Sequence, residues 1–308
     1  MVHTERLHSK ISFASGRRTI LWPRPRLIYA ALHLFNRTIQ SPGRLIRNVF
    51  LTVCIAALFG MCARRPIPDL PTRVYWAWER PEDLSTLDTD TEAVAYLAAT
   101  LYLTPSGLRT YTRRQGLRLP AKAVLIPVIR IEENFDAAMS TEQKHILRAA
   151  QLSLIVSAFV ALARSERPLA IQIDYDAPQS ARDFYARLLR ELRRNLPEST
   201  ALSMTALASW CVGDPWLREL TADDGPVQEV VPMLFRMGAD GANIYRHIIV
   251  RQNDFTIAAC RTSVGLILDE RHSAEYLRYF ESDRRVYFFS AQTWSPALLD
   301  YTRRRLSR

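Results

Sequence analysis

Eight short apolar runs spread over residues 72–308, helical periodicity in several of the gaps between them, and the lack of a glycine-rich phosphate loop after the first run together predict an α/β protein. The class they predict is the (β/α)8, or TIM, barrel. The runs are Val74–Trp78, Val94–Leu103, Val124–Ile131, Leu169–Tyr175, Leu202–Leu207, Val227–Phe235, Val264–Leu268 and Val286–Ser290. A barrel of this kind takes roughly 250 residues, and the segment is close to that size. An open doubly wound sheet is the alternative for such an alternation, but no G-x-G-x-x-G follows the first run. Pro127 and Pro232 fall inside two of the runs and count against them, because proline removes a ladder donor.

The helices are read from spacing and end signals. A Thr141 start of the S/T-x-x-E kind opens a stretch to Ala163 with apolar or small residues at helical spacing: Ile146, Ala149, Ala150, Leu154, Ser157, Ala158 and Ala161. Ser180 is the expected cap of a second helix, whose Phe184, Leu188 and Leu192 form a stripe while Asp183, Arg187, Glu191 and Arg194 face water. Asn243–Val250 and Ala274–Phe280 read similarly. The closing R-R-R-L-S-R reads as the end of a final helix, where cations suit the dipole.

The N-terminal part has a different character. Residues 1–65 hold eleven Lys/Arg against the single acid Glu5, which accounts for the whole net charge of +10 and leaves the remaining chain neutral. A basic nucleic-acid groove in the globular part therefore loses its support, and no nucleic-acid partner is expected. A basic tail (1–47) leads into an apolar segment (48–63), whose residues 49–63 carry no charge and are preceded by Arg44 and Arg47. That run is a membrane-targeting element, with the positive side left in the cytoplasm and the rest exported to the periplasm or cell envelope. A cleaved signal, a retained anchor and lipidation at Cys62 all remain open, although Met61 stands where a lipoprotein signal has a small residue. A proline-rich linker (64–72) with Pro66, Pro68 and Pro71 precedes one barrel domain, 73–308. Cys211 and Cys260 are expected as buried free thiols; an exported location would permit a bridge if they met in space.

In a barrel the chemistry sits at the C-terminal strand ends. In L-A-I-Q-I-D-Y-D-A-P, period-two alternation sends Ala170, Gln172, Asp174 and Asp176 inward and Ile171, Ile173 and Tyr175 outward. Asp174 and Asp176 then lie roughly 6.5 Å apart along the strand, close enough to push their pKa values apart into acid and ionised partner. Other strand ends contribute Trp76, Trp78, Glu79, Arg130, Glu132, Thr205, Trp210, Arg236, Asp269, Glu270, Gln292 and Trp294. Tryptophan faces stack on sugar rings, and arginines neutralise the aspartates or grip an anionic substrate. The histidines are scattered without H-x-x-x-H spacing and no G-x-S-x-G elbow occurs, so no metal, cofactor or Ser-His-Asp triad is expected.

At I-Q-I-D-Y-D-A-P, A-R-D-F-Y-A-R-L-L-R-E-L-R, L-S-M-T-A-L-A-S-W and E-V-V-P-M-L-F-R-M-G the chain resembles a bacterial family catalogued as domain of unknown function 3142, over about residues 73–295. The resemblance implies an exported barrel grouped with glycoside hydrolases, and by itself no activity. The D-x-D is also similar to the D-x-x-D-x-D-x-E strand of chitinases, with Asp174 and Asp176 as its last two aspartates. Pro178 stands where that motif has its general acid, so a proton donor has to come from another strand, Glu270 first and Glu132 second. The resulting expectation is a carbohydrate-active barrel. Asp176 is its general acid or base, Asp174 tunes it, Glu270 opposes them, and Trp76, Trp78, Arg130, Gln172, Thr205, Trp210, Arg236 and Trp294 bind a polysaccharide or oligosaccharide. A catalytically inactive barrel that binds or guides an envelope polysaccharide is the second expectation.

Overall fold

A computed structural model describes residues 70–222, 225–280 and 284–306. The basic tail, the apolar run, Cys62 and most of the linker lie outside the described residues. The chain divides into two compact units, 1–61 and 62–308, and the described part belongs to the second.

Eight parallel strands close into a barrel. They are β1 (Arg73–Ala77), β3 (Glu92–Thr104), β6 (Val124–Glu133), β7 (Ala170–Asp174), β8 (Ala201–Leu207), β9 (Glu229–Met233), β10 (Ser263–Ile267) and β11 (Arg285–Phe289). β1 pairs with both β11 and β3, which joins the two ends of the sheet. All eight predicted strands are present within two residues at each end. The prolines fit because each falls where one side of the ladder is absent: the β6–β7 pairing begins at Val128, just after Pro127, and β9 pairs with β10 only at Met233, just after Pro232.

The alternation along β7 runs as the sequence implies. Ile171, Ile173 and Tyr175 join the outer core under the helices, while Ala170 belongs to the barrel interior with Val74, Trp76, Ala95, Val128 and Val231. At the N-terminal end the interior is closed by Glu229, which accepts from Ser263 Oγ at 2.6 Å and Tyr287 OH at 2.8 Å and pairs with the Arg285 guanidinium. Arg285 also donates to the carbonyls of Leu70 and Pro71, so the chain enters the barrel at this closed end.

Helices follow the strands only from β6 onward: α1 (Thr141–Glu166), α2 (Arg182–Asn195), α3 (Ala208–Gly213), α4 (Pro215–Leu220), α5 (Gly241–Tyr245, continued by a π turn to Val250), α6 (Ser273–Phe280) and α7 (Pro296–Leu306). After β1 the chain makes the short strand β2 (Glu82–Asp83), which pairs with β5 (Leu117–Arg118). After β3 it turns back as the antiparallel strand β4 (Gly107–Thr112). Gly107 makes that turn with φ 117°, a conformation that side-chain-bearing residues rarely adopt.

The helix α1 corrects the reading of its own spacing. Ser140 and Gln143 form a reciprocal capping box at its start. Of the positions that mark the helix in sequence, Ile146, Ala149, Ala150, Leu154, Ser157 and Ala161 are exposed. The buried face is instead Arg148, Gln151, Ile155, Phe159 and Ala163. Polar contacts choose it: Arg148 holds Glu133 through Nε and Nη2, at 2.7 and 2.8 Å, and Gln151 donates to the Thr104 carbonyl at 3.1 Å. Ser180 does not cap α2; it lies in a 3-10 turn, and its carbonyl receives His145 and Arg148. Cys211 and Cys260 are bridged rather than free, tying α3 to the segment before β10.

These faces predict opposite responses to substitution. Phe159→Ala is expected to cost about 3–5 kcal/mol, because it empties a fully enclosed site. Leu154→Lys, on the solvent face, is expected to stay within about 0.5 kcal/mol. Chemical denaturation of the two variants checks both.

Candidate functional site

The C-terminal end of the barrel opens into a cleft of about 630 Å³. Its base is aromatic. The Trp76 ring stacks on Trp78 (centroids 4.7 Å, 27° between planes) and lies 4.6 Å from Phe289, which in turn lies 4.6 Å from Phe235. Gly265, on the inner side of β10, makes room for these rings, since a Cβ there would stand 3.1 Å from Phe289 Cε2. Trp76 cannot rotate freely. Its Nε1 donates to Gln172 Oε1 at 2.9 Å, and Gln172 Nε2 donates to Ser203 Oγ at 3.1 Å. Gln172 is fully buried and acts as a clamp for the tryptophan; it does not line the cleft.

One wall carries the aspartates. Asp174 is 7% exposed and accepts from Thr205 Oγ1 at 2.7 Å. Arg130 lies 3.9 Å from its other oxygen, holds Glu132 at 2.6 Å, and has its guanidinium 5.0 Å from the Trp78 ring centroid. Burial and then the neighbouring Asp176 push the Asp174 carboxyl up to about 6, against the opposing pull of Thr205 and Arg130. Asp176, two residues on, is exposed at the rim. Its carboxyl is also raised, chiefly by desolvation from the surrounding groups; Arg130 works against the shift and Glu132 adds to it. A second cavity of about 300 Å³ lies against the same residues, bounded also by Glu132, Glu133 and Pro178.

The other predicted residues divide clearly. Trp76, Trp78, Arg130, Asp174, Asp176 and Arg236 line the cleft, and Thr205 serves Asp174 from below. Trp210 and Trp294 are corrections. Trp210 packs edge-on against Trp216 within the outer core, and Trp294, completely enclosed, donates its indole N–H to the Trp76 carbonyl at 3.0 Å. Both follow strand ends in sequence, but the chain turns them under the helices, so they support the cleft without touching its contents. Glu270 is a third correction. Its carboxylate accepts the Arg236 backbone N–H at 2.8 Å, pinning a turn in which Arg236 has φ 50°, and it does not line the cleft.

The sequence reading missed Asp240, a carboxylate that lines the cleft from the turn after β9, and the rings of Phe235 and Phe289. Inward parity along β11 could have found Phe289, whereas Asp240 sits in an irregular turn with no periodic signal. It also missed Glu133 with Arg148 and the Tyr175 hydroxyl, a buried group that joins β6, α1 and β7 directly behind the aspartates. An arginine inside an otherwise apolar helix was the available clue.

No family model and no curated protein matches this sequence. Among solved structures, the chain is similar to a GH18 chitinase from Pseudoalteromonas aurantia (TM-score 0.47, 10% identity, covering 70% of this chain and 93% of that one). It is similar to a family GH18 chitinase from Chromobacterium violaceum (0.43, 11%, 73% and 80%) and to the spore cortex-lytic enzyme SleL of Bacillus cereus (0.40, 14%, 64% and 51%). With every TM-score below 0.5, these likenesses add nothing to the barrel that the strand order itself establishes.

The raised Asp174 has a consequence for stability. Its folded pKa of about 6 exceeds the unfolded value of 3.8, so the folded state binds the extra proton between those values. Ionising it therefore costs stability as pH rises from about 4 to 6, about 3 kcal/mol in full above pH 6 and nothing below pH 4. Asp174→Asn keeps an acceptor for Thr205 and removes this cost. Its melting temperature should exceed that of the wild type at pH 7.5, and the two should converge by pH 4.

Proposed function

We propose that this protein is an exported, membrane-attached barrel that hydrolyses a polysaccharide by carboxylate acid/base chemistry, and that it belongs to the bacterial family of unknown function that its motifs resemble. The observation that carries the reading is the Asp174–Asp176 pair, with both carboxyls raised, on the wall of an open cleft whose base is the Trp76–Trp78 stack. Asp176 reaches the cleft and donates the proton. Asp174, beneath it, is itself raised by the neighbouring Asp176, while desolvation and Glu132 hold the Asp176 carboxyl up. With Glu270 engaged elsewhere, the opposing carboxylate is Asp240, on the β9 turn. Trp78 offers an apolar ring to a sugar, with the nearly enclosed Trp76 stacked against it as support, and Arg130 orients the aspartates. The Cys211–Cys260 bridge supports an oxidising location, and the uncharged run 49–63 supports attachment to a membrane.

A second reading, a catalytically silent barrel that binds or guides an envelope polysaccharide, is favoured by two observations. Pro178 takes the place of the chitinase-type acid, and Arg130 stands against the buried Asp174.

The test is release of reducing ends from a panel of bacterial envelope and exopolysaccharides. Asp176→Asn and Asp240→Asn are each expected to slow release about 10²–10⁴-fold with folding unchanged, the usual contribution of a positioned acid or base. No release by the wild type from any polymer, together with retained glycan binding, would instead favour the silent barrel.

A further inference from the structure

The barrel mouth is extended on one side by the β3–β4 hairpin, and strand register shows what that extension carries. Tyr111 is paired with Thr100, Thr100 with Arg130, and Arg130 with Asp174. These four residues form one straight row across four neighbouring strands, ending at the Asp174 carboxylate. One step further along the strands, Arg109 is paired with Tyr102 and Tyr102 with Glu132.

The row faces inward because of a single irregularity. The β3–β6 register shifts between Leu97 and Ala99. Before the shift, the odd-numbered Ala93 and Ala95 line the barrel interior; after it, Leu101 and Leu103 lie in the outer core and Thr100 and Tyr102 take the inner side. Without the extra residue Tyr102 would point under the helices.

The two tyrosines touch on that inner side, with ring centroids 5.4 Å apart and planes at 90°. Tyr111 is 54% exposed and Tyr102 half-buried. Partial burial, with Glu132 and Glu79 nearby, raises the Tyr102 hydroxyl above its ordinary pKa. At about 4.8 Å per strand, Tyr111 lies about 14 Å from Asp174 measured along the sheet, with Arg130 over Trp78 between them. That distance is longer than one pyranose ring.

We propose that Tyr102 and Tyr111 form a second sugar-binding platform at the rim of the cleft, engaging units of a polysaccharide away from the Asp174–Asp176 pair and giving the protein a preference for longer chains. The platform rests on the carbohydrate reading of the cleft. It adds that the hairpin, standing where a regular barrel has a helix, is a specificity element.

The test is binding by the full chain in detergent, measured by calorimetry with the hexamers and dimers of β-1,4-linked N-acetylglucosamine and of β-1,4-linked glucose, alongside cleavage of the same compounds. The wild type is expected to bind a hexamer more tightly than its dimer. Tyr111→Ala is expected to weaken hexamer binding about tenfold and leave the dimer unchanged, and Tyr111→Phe to behave as wild type because stacking needs the ring. The exposed position of Tyr111 lets both variants fold, and matched melting temperatures verify that. Hexamer binding unchanged in Tyr111→Ala, or no hexamer bound by the wild type, overturns the platform. The hydrolase reading fails separately: hexamer bound through Tyr111 but never cleaved removes the enzyme and leaves the platform standing. Cleavage that ignores both chain length and Tyr111 does the reverse.

Discussion

β1 is only five residues long, yet it must hydrogen-bond along both edges, to β3 and to β11, for the eight parallel strands to close into a barrel. Closure forces one face of every strand into a narrow interior, which is why that interior uses alanines at positions 93, 95, 170 and 201 beside the larger Trp76 and Tyr287. At the N-terminal end the remaining space is taken by a buried carboxylate. Glu229 is tolerable there because a hydroxyl, a phenol and a guanidinium all donate to it. With that end sealed, the wider C-terminal end is where side chains can meet solvent, and the aspartates, the tryptophans and the arginines gather there.

The environment of the aspartates follows from how each neighbour is held. Asp174 is desolvated but not isolated: Thr205 satisfies one oxygen and Arg130 stands off the other, so the carboxyl is raised only to about 6. Behind it, the Glu133–Arg148–Tyr175 group locks the ends of β6 and β7 against α1 through charge-assisted hydrogen bonds. A rigid backing of this kind keeps the two carboxylates at fixed positions on the cleft wall.

The sequence was informative where one local rule governed the outcome. Buried parallel strands read as apolar runs, and alternation along β7 correctly separated Asp174 and Gln172 from Ile171, Ile173 and Tyr175. It failed where a distant contact decided. The face of α1 was set by Glu133 and by the Thr104 carbonyl, not by hydrophobic spacing. Glu270 was drawn to a backbone N–H on another loop, and Trp210 and Trp294 turned into the core. The disulfide needed two segments 49 residues apart to meet. The hairpin was hidden because Val94–Leu103 and the turn beyond it look like one long strand followed by a loop, and the register shift at Leu97 leaves no mark on composition.

The entry of the chain at the sealed end has a mechanical consequence. Leu70 is packed into the barrel interior, and its carbonyl and that of Pro71 are gripped by Arg285, which is itself locked to Glu229. A pull on the polypeptide ahead of residue 70 is therefore borne by β1 and β11 near the sealed pole, while the mouth lies at the opposite pole. Force entering through Leu70 and access to the cleft therefore belong to opposite ends of the same cylinder.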